Sequence, residues 1–227
     1  MTIGFRILGR KRKVENDVVE KFRAIPVANI SDCMWRMSAG GCALSPMHAG
    51  GYMAGPAFTV KTRPGDNLML HKAIDLAEAG DVIVVDGGGD LTNALIGELM
   101  LSHAVKRGIA GFVIYGAVRD LSYIQASPMP VYAAGVTHRG PYKEGPGEIN
   151  VPIALDGMVV QPGDLMLGDE DGTLCVPYDV TAEVYAAAKA KNDAEIGQMA
   201  QIEAGTSDRS WVDKALRQKG CVFQADG

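Results

Sequence analysis

Arg119 and Asp120 sit side by side just after an apolar run, Gly111 to Tyr115 (GFVIY), that reads as a buried strand. An arginine fork holds a carboxylate through two charge-assisted hydrogen bonds. A neighbouring aspartate is a ligand for a hard divalent cation. Such a pair suits a metal-chelated oxo acid, and it equally suits a structural ion pair or a helix cap. Glu98 adds context, because twenty positions separate it from Arg119. If the two strands flanking this stretch are adjacent, Glu98 and Asp120 face one another across a pocket. Two carboxylates, one arginine and a helix start are the groups that a Mg²⁺-assisted enolate chemistry needs.

The elements that must position these residues follow from pattern. Residues 15–24 read as a short amphipathic helix ended by Pro26, and a second helix runs through Met37. Residues 40–56, rich in Gly, Pro and Ala, read as a loop, with a strand over Ala57–Lys61. After the RPGD turn, helical spacing covers Asn67–Ala79, with Gly80 as its C-cap glycine. Val82–Val85 (VIVV) is a β-branched run of the kind covered on both faces. The loop Asp86-Gly-Gly-Gly-Asp90 leads to a helix over Asn93–Arg107 that stops at Gly108. Two successive strand–loop–helix units predict an α/β sheet. Ligands of such sheets bind beyond the carboxyl ends of the strands, where both loops lie. The glycine loop before a helix start is an anion-site candidate and equally a plain turn. It fits neither the Rossmann nor the P-loop pattern, so no nucleotide is implied. Beyond Pro130, short strands alternate with DG, PGD and DEDG turns, a smaller β portion packed on the first. A long Ala-rich helix spans Asp179–Ala204, and a helical tail, Ser207–Lys219, carries Trp211 and Leu216. A Trp on such a tail predicts docking on a neighbouring subunit.

Composition narrows the function classes. The chain has 227 residues, a net charge of −5 and no long apolar span, which points to a cytoplasmic protein with neither a membrane nor a nucleic-acid partner. Its one basic run, Arg6–Lys13, reads as a solvated tail or a subunit contact. Cys33, Cys42, Cys175 and Cys221 show no CxxC spacing, so free thiols are expected. His48, His71, His103 and His138 form no metal-ligand pair, and His71 and His103 read as helix packing or surface residues. Lys72 lies in a helical context that argues against a Schiff base.

The stretches Ala94-Leu-Ile-Gly-Glu-Leu-Met100, Arg107-Gly-Ile-Ala-Gly111 and Tyr115-Gly-Ala-Val-Arg-Asp120 resemble the RraA-like superfamily. That group includes class II pyruvate aldolases acting on 4-hydroxy-4-methyl-2-oxoglutarate and 4-carboxy-4-hydroxy-2-oxoadipate, and proteins named as regulators of ribonuclease E. The resemblance runs from about Val27 to the long C-terminal helix. It implies a layered α-β-β-α sandwich of the swivelling-domain type, organised as an N-terminal helical extension (1–26), the α/β domain (27–205) and a docking tail (206–227). It also implies retro-aldol cleavage of a 4-hydroxy-2-oxo acid to pyruvate and a second oxo acid, with oxaloacetate decarboxylation as a side activity. On this resemblance Asp120 ligates Mg²⁺ or Mn²⁺, Glu98 holds metal-bound water, and Arg119 neutralises the enolate oxygen. The substrate lies against Ala94, Leu95, Gly97, Leu99 and Asn67, with the amides of Leu95–Leu99 at the helix start taking the pyruvyl carboxylate. Asp32 and Glu195, the latter from an adjacent subunit, are further acidic candidates, and a homotrimer or homohexamer is implied. Glu98 stands where these aldolases carry Asp, and its longer side chain would shift an ordered water. Ribonuclease regulators tend to lack the final acid, so Asp120 favours an enzyme over a purely protein-binding regulator.

Overall fold

The structure, a computed structural model, describes residues 3–37 and 43–223. Residues 40–42 of the expected loop, Cys42 among them, lie outside the described residues. In chain order the elements are β1 (Phe5–Ile7), α1 (Asn16–Phe22), α2 (Val27–Cys33), β2 (Ser45–Pro46), β3 (Met53–Thr62), α3 (Leu68–Leu76), β4 (Val82–Asp86), β5 (Ala94–Ile96) and α4 (Glu98–Lys106). They continue with β6 (Gly111–Val118), α5 (Leu121–Ala126), β7 (Val131–Val136), β8 (Gly147–Ile149), β9 (Ile153–Leu155), β10 (Met158–Val160), β11 (Leu165–Asp169), β12 (Gly172–Val176), α6 (Thr181–Glu203) and α7 (Ser210–Gln218). Two compact units result, Met1–Lys189 and Ala190–Gly227.

The first unit is a layered α-β-β-α sandwich. Its main sheet runs β1-β8-β3-β4-β6-β7-β2, and β3, β4, β6 and β7 pair parallel as the crossovers through α3, α4 and α5 require. Side chains alternate along each strand. Phe58, Val60, Ile83, Val85, Phe112 and Ile114 therefore face α3, α4 and α5. Val82, Val84 and Val113 on the other face meet Ile153, Leu155, Val160 and Met166. Both faces are covered, which is why these strands read as unbroken apolar runs. The first half of β3 pairs with β11 and the second with β4, so β3 joins the β11–β12 pair to the main sheet. Behind β11 and β12, Phe22, Ile30 and Val184 of α1, α2 and α6 close the last layer.

Several local expectations change. The second helix ends at Cys33, because Trp35 and Arg36 both adopt left-handed backbone (φ 57° and 59°). The expected loop over 40–56 gives way to strand at Met53, where Gly55 lets the Gly80 carbonyl approach closer than any Cβ would permit. Gly80 does not cap α3, which ends at Leu76; its φ of 89° instead turns the chain so that its N–H donates to the Gly108 carbonyl (2.8 Å). The basic run is a strap rather than a free tail. Arg6 pairs with Glu148 (2.6 Å), Arg10 with Asp81 (2.7 Å), Arg12 with Asp179 (2.7 Å) and Lys13 with Glu78. Among the described residues no helix is long and apolar enough to cross a membrane.

The RPGD turn hides a buried carboxylate. Asp66, with no exposed surface, accepts N–H bonds from Leu68 (3.0 Å), Glu144 (2.7 Å) and Gly145 (2.9 Å). Burial alone would raise its pKa; these three donors and the Arg63 charge outweigh it and leave the group below the ordinary carboxylate value. A carboxylate with a depressed folded pKa contributes stability that is present above its unfolded value, about 3.9, and is lost as pH falls through the folded one. Asp66→Asn should therefore flatten the acid limb of stability below about pH 5, read as urea midpoints against pH. Parallel curves for the two proteins would contradict this account of Asp66.

Candidate active site

The expected helix over Asn93–Arg107 divides into a strand and a helix, and the division creates the site. Ala94–Ile96 is drawn into the sheet as β5, pairing with the end of β6 (Ala94 with Ala117, Ile96 with Val118), so tertiary pairing overrides helical spacing. The Arg119 N–H donates to the Ile96 carbonyl (3.0 Å), which brings Gly97 and Arg119 out of neighbouring strands together. The glycine loop before β5 is a turn and not an anion site. The N–H groups of Gly87 and Gly89 both donate to the Tyr115 carbonyl (3.0 and 3.1 Å), and that of Gly88 to Asp86 (3.0 Å).

Asp120 occupies left-handed backbone (φ 58°, ψ 45°), an arrangement that costs a non-glycine residue about 1 kcal/mol or more. That conformation returns its carboxylate to the start of α4. Oδ2 accepts the Glu98 N–H (2.9 Å) and lies 3.7 Å from Arg119 Nε. The first helical bond of α4 comes from Leu101, to the Gly97 carbonyl (3.1 Å). The N–H groups of Leu99 and Met100 are thus left at the positive end of the helix with no acceptor among the described residues. Of the Leu95–Leu99 amides expected to take an anion, Leu99 is one of these two, while Leu95 lies back in β5.

Gly97 makes the arrangement possible. Its backbone is ordinary and extended, but a Cβ there would meet Asp120 Oδ2 and come 2.9 Å from Arg119 Cγ. Gly97→Ala should cost about 100-fold in turnover, because displacement of reacting groups by an ångström has effects of that order. Steady-state kinetics beside a melting curve would check it; full activity with an intact fold would show that the Arg119–Asp120 placement does not matter.

Beside this corner lies a cavity of about 140 Å³, lined by Asn67, His71, Ala94–Gly97, Leu99, Met100, Arg119, Pro141 and Lys143. The structure thus gathers Asn67, Ala94, Leu95, Gly97, Leu99 and Arg119 on one cavity, with Asp120 against Gly97. Glu98 meets Asp120 through its backbone, while its side chain stands exposed in the first turn of α4. Asn67 is 2% exposed; its Nδ2 donates to the Leu95 carbonyl (2.9 Å), which fixes the amide, and leaves Oδ1 without a donor among the described residues. Asp32 lies on α2 and pairs with Arg36 (2.7 Å). Glu195 lies in the second unit and pairs there with Lys191 (2.7 Å).

Sequence reasoning missed His71 and Lys143. His71 falls one turn after Asn67 on the same face of α3, a spacing that could have revealed it. Burial lowers its pKa below the ordinary imidazole value, Lys143 lowers it further and Asp75 opposes them. Lys143 carried no local signal, because only the fold brings its segment here. Two larger cavities, about 570 and 620 Å³, flank residues 8–13, but Arg10, Arg12 and Lys13 there are already paired with carboxylates. Size does not make them the better candidates.

Asp120 offers this corner a carboxylate ligand of the kind a hard divalent cation takes. One Asp120 oxygen is anchored by a backbone N–H, as outer ties commonly orient a metal ligand, and the other has no protein partner among the described residues. No trio of His, Cys, Asp or Glu converges among the described residues. A single carboxylate completed by water and substrate oxygens suits Mg²⁺ or Mn²⁺, which retain waters, better than zinc.

Comparison with known proteins bears on the same residues. The family description RraA-like, Aldolase/RraA, matches residues 27–175, a span that contains β2 to β11, all of β12 but Val176, and the whole cavity. The chain belongs to the RraA-like family. A Halalkalibacterium halodurans member named "Putative 4-hydroxy-4-methyl-2-oxoglutarate aldolase" is 37% identical over 205 residues, covering 90% of this chain and 98% of that one. A Thermus thermophilus member named 4-hydroxy-4-methyl-2-oxoglutarate aldolase is 41% identical over 112 residues, 49% of this chain and 68% of that one. Among solved structures, an uncharacterized Pseudomonas syringae protein superposes with TM-score 0.77 at 27% identity, covering 86% and 96% of the two chains. The RNA-processing inhibitor RraA of Thermus thermophilus superposes with TM-score 0.62 at 34% identity, covering 67% and 92%.

Proposed function

We propose that this RraA-like protein is a divalent-metal-dependent aldolase. It cleaves a 4-hydroxy-2-oxo di- or tricarboxylic acid to pyruvate and a second oxo acid. The observation that carries the reading is the Arg119–Asp120 corner tied to the open start of α4. The relatives named as aldolases support it. Asp120 would hold Mg²⁺ or Mn²⁺, with Glu98 reaching it through water. Bound there, the cation supplies Lewis-acid polarisation of the keto oxygen.

The chain's own groups do the rest. The Leu99 and Met100 N–H groups receive the pyruvyl carboxylate. Arg119 meets the negative charge that gathers on the keto oxygen as the C3–C4 bond breaks and its electron pair passes into the enolate. The C4 hydroxyl loses its proton as its carbon becomes a carbonyl, and C3 gains one to give pyruvate. Glu98, exposed at the helix start, is the side chain placed to hold the water that shuttles these protons. Oxaloacetate loses CO₂ to the same enolate, so its decarboxylation is the expected side activity.

The protein would work as a homotrimer or homohexamer. In the second unit, Ile196, Met199 and Ile202 on α6 and Trp211 on α7 are more than half exposed, an apolar surface suited to a neighbouring copy. Glu195 lies beside that surface and would reach a neighbour's site. A regulator that binds a ribonuclease is the second reading, favoured by the likeness to the Thermus inhibitor. A panel of 4-hydroxy-2-oxo acids and oxaloacetate, each with Mg²⁺ or Mn²⁺ and with EDTA, decides between them. An aldolase releases pyruvate only with metal, and a pure binder releases none.

A further inference from the structure

Residues 139–145 form one wall of the cavity. Pro141 and Lys143 line it, and a Cβ at Gly140 would come 3.4 Å from Arg119 Nη1, so the segment passes beside the guanidinium. Apart from the Tyr142 bridge to Asp66, the segment has no regular structure to hold it. It depends on separate ties. Near its start, the Ala94 N–H donates to the Arg139 carbonyl (2.9 Å) and the Asn93 amide to the Gly140 carbonyl. Further on, the Tyr142 N–H donates to the Gly65 carbonyl (2.8 Å) and the Asn67 N–H to the Tyr142 carbonyl (3.0 Å). At its end, the Glu144 and Gly145 N–H groups converge on a single oxygen of Asp66 (2.7 and 2.9 Å). The second Asp66 oxygen takes the Leu68 N–H at the start of α3, the helix that presents His71 to the same cavity.

One buried carboxylate therefore joins two parts of the cavity wall without lining the cavity itself. We propose that Asp66 is a positioning residue for the part of the substrate beyond its pyruvyl group: it fixes segment 139–145 against the start of α3, so that this wall is formed before a 2-oxo acid binds. The inference rests on the aldolase reading. An amide at position 66 keeps the shape, but it has one acceptor oxygen where the carboxylate has two. Some of the three N–H donors then lose their partner or face another donor. Arg119, Asp120 and the start of α4 lie outside these ties, so enolisation of pyruvate should survive the loosening.

The test uses the full-length protein with Mg²⁺ and two probes: exchange of pyruvate methyl protons into D₂O, and cleavage of 4-hydroxy-4-methyl-2-oxoglutarate. Asp66→Asn should hold methyl exchange within about twofold of wild type while KM for cleavage rises about tenfold and kcat changes less. Asn93→Ala removes the tie to Gly140 and leaves the Asp66 network intact. It should shift the same KM in the same direction, by less, and it decides the matter if Asp66→Asn does not fold. Equal losses of exchange and cleavage would make the role merely structural and overturn the proposal, as would an unchanged KM. Absence of exchange in the wild-type protein is a different failure: it removes the aldolase reading, and this proposal with it.

Discussion

Asp120→Asn is expected to lower metal-dependent pyruvate release by about 1,000-fold or more, the scale on which removal of a principal charge-stabilising group acts. Asparagine is the informative replacement. It tolerates the left-handed backbone that Asp120 adopts at φ 58°, and its amide oxygen can still accept the Glu98 N–H. Helix capping and backbone conformation are then retained while the charge is lost. A melting temperature within a few degrees of wild type, with no restoration of activity by raised Mg²⁺ or Mn²⁺, is the expected pattern. Alanine would be a poorer choice, because it also removes the cap and places a Cβ without a polar group in left-handed backbone, costing about 1–3 kcal/mol of stability. Unaltered turnover in Asp120→Asn would mean that the carboxylate serves only to cap α4.

Arg119→Lys should lower kcat by about 100-fold even though the charge is conserved. The guanidinium offers several N–H donors in a fixed plane. Gly97 and Gly140 leave room for it, since a Cβ at either would come within 3.4 Å of the Arg119 side chain. A lysine ammonium is a point charge on a more flexible stem and cannot reproduce that contact. If Arg119 acts chiefly on charge that develops during the reaction, kcat falls more than KM rises. If it only binds the ground state, KM carries the loss. Stopped or steady-state assays on one 4-hydroxy-2-oxo acid separate the two cases.

The parts of the fold legible in the sequence were those where local pattern and tertiary demand agree. VIVV and GFVIY announced strands covered on both faces, and β4 and β6 are buried from both sides. Gly108, at φ 74°, ends α4 where its position suggested. Errors fell where a contact distant in sequence decides the local structure. Ala94-Leu-Ile suits a helix by spacing, yet pairing with Ala117 and Val118 makes it a strand. Met-Ala-Gly-Pro at 53–56 has the composition of a loop, yet it is the half of β3 that pairs with β11.

The site was legible in outline for a similar reason. Arg119, Asp120 and Glu98 follow strands or open a helix, so their spacing in sequence carries over into space. The relation between the two acids was different from the one their spacing suggested: Asp120 grips the backbone of Glu98, and the two meet at one helix start. Lys143 and Asp66 were invisible, because each matters through a segment with no regular pattern, whose backbone N–H groups find the Asp66 carboxylate only once the fold has brought the two together.

One measurement reaches the central claim most directly. Wild-type protein and Asp120→Asn are given 4-hydroxy-4-methyl-2-oxoglutarate with Mg²⁺, and pyruvate is followed by coupling to lactate dehydrogenase before and after EDTA. The Arg119–Asp120 corner, acting as a metal-dependent enolising site, predicts release by the wild type that EDTA stops and added metal restores, and almost none by the variant. Equal release by both proteins, or release indifferent to EDTA, would contradict it.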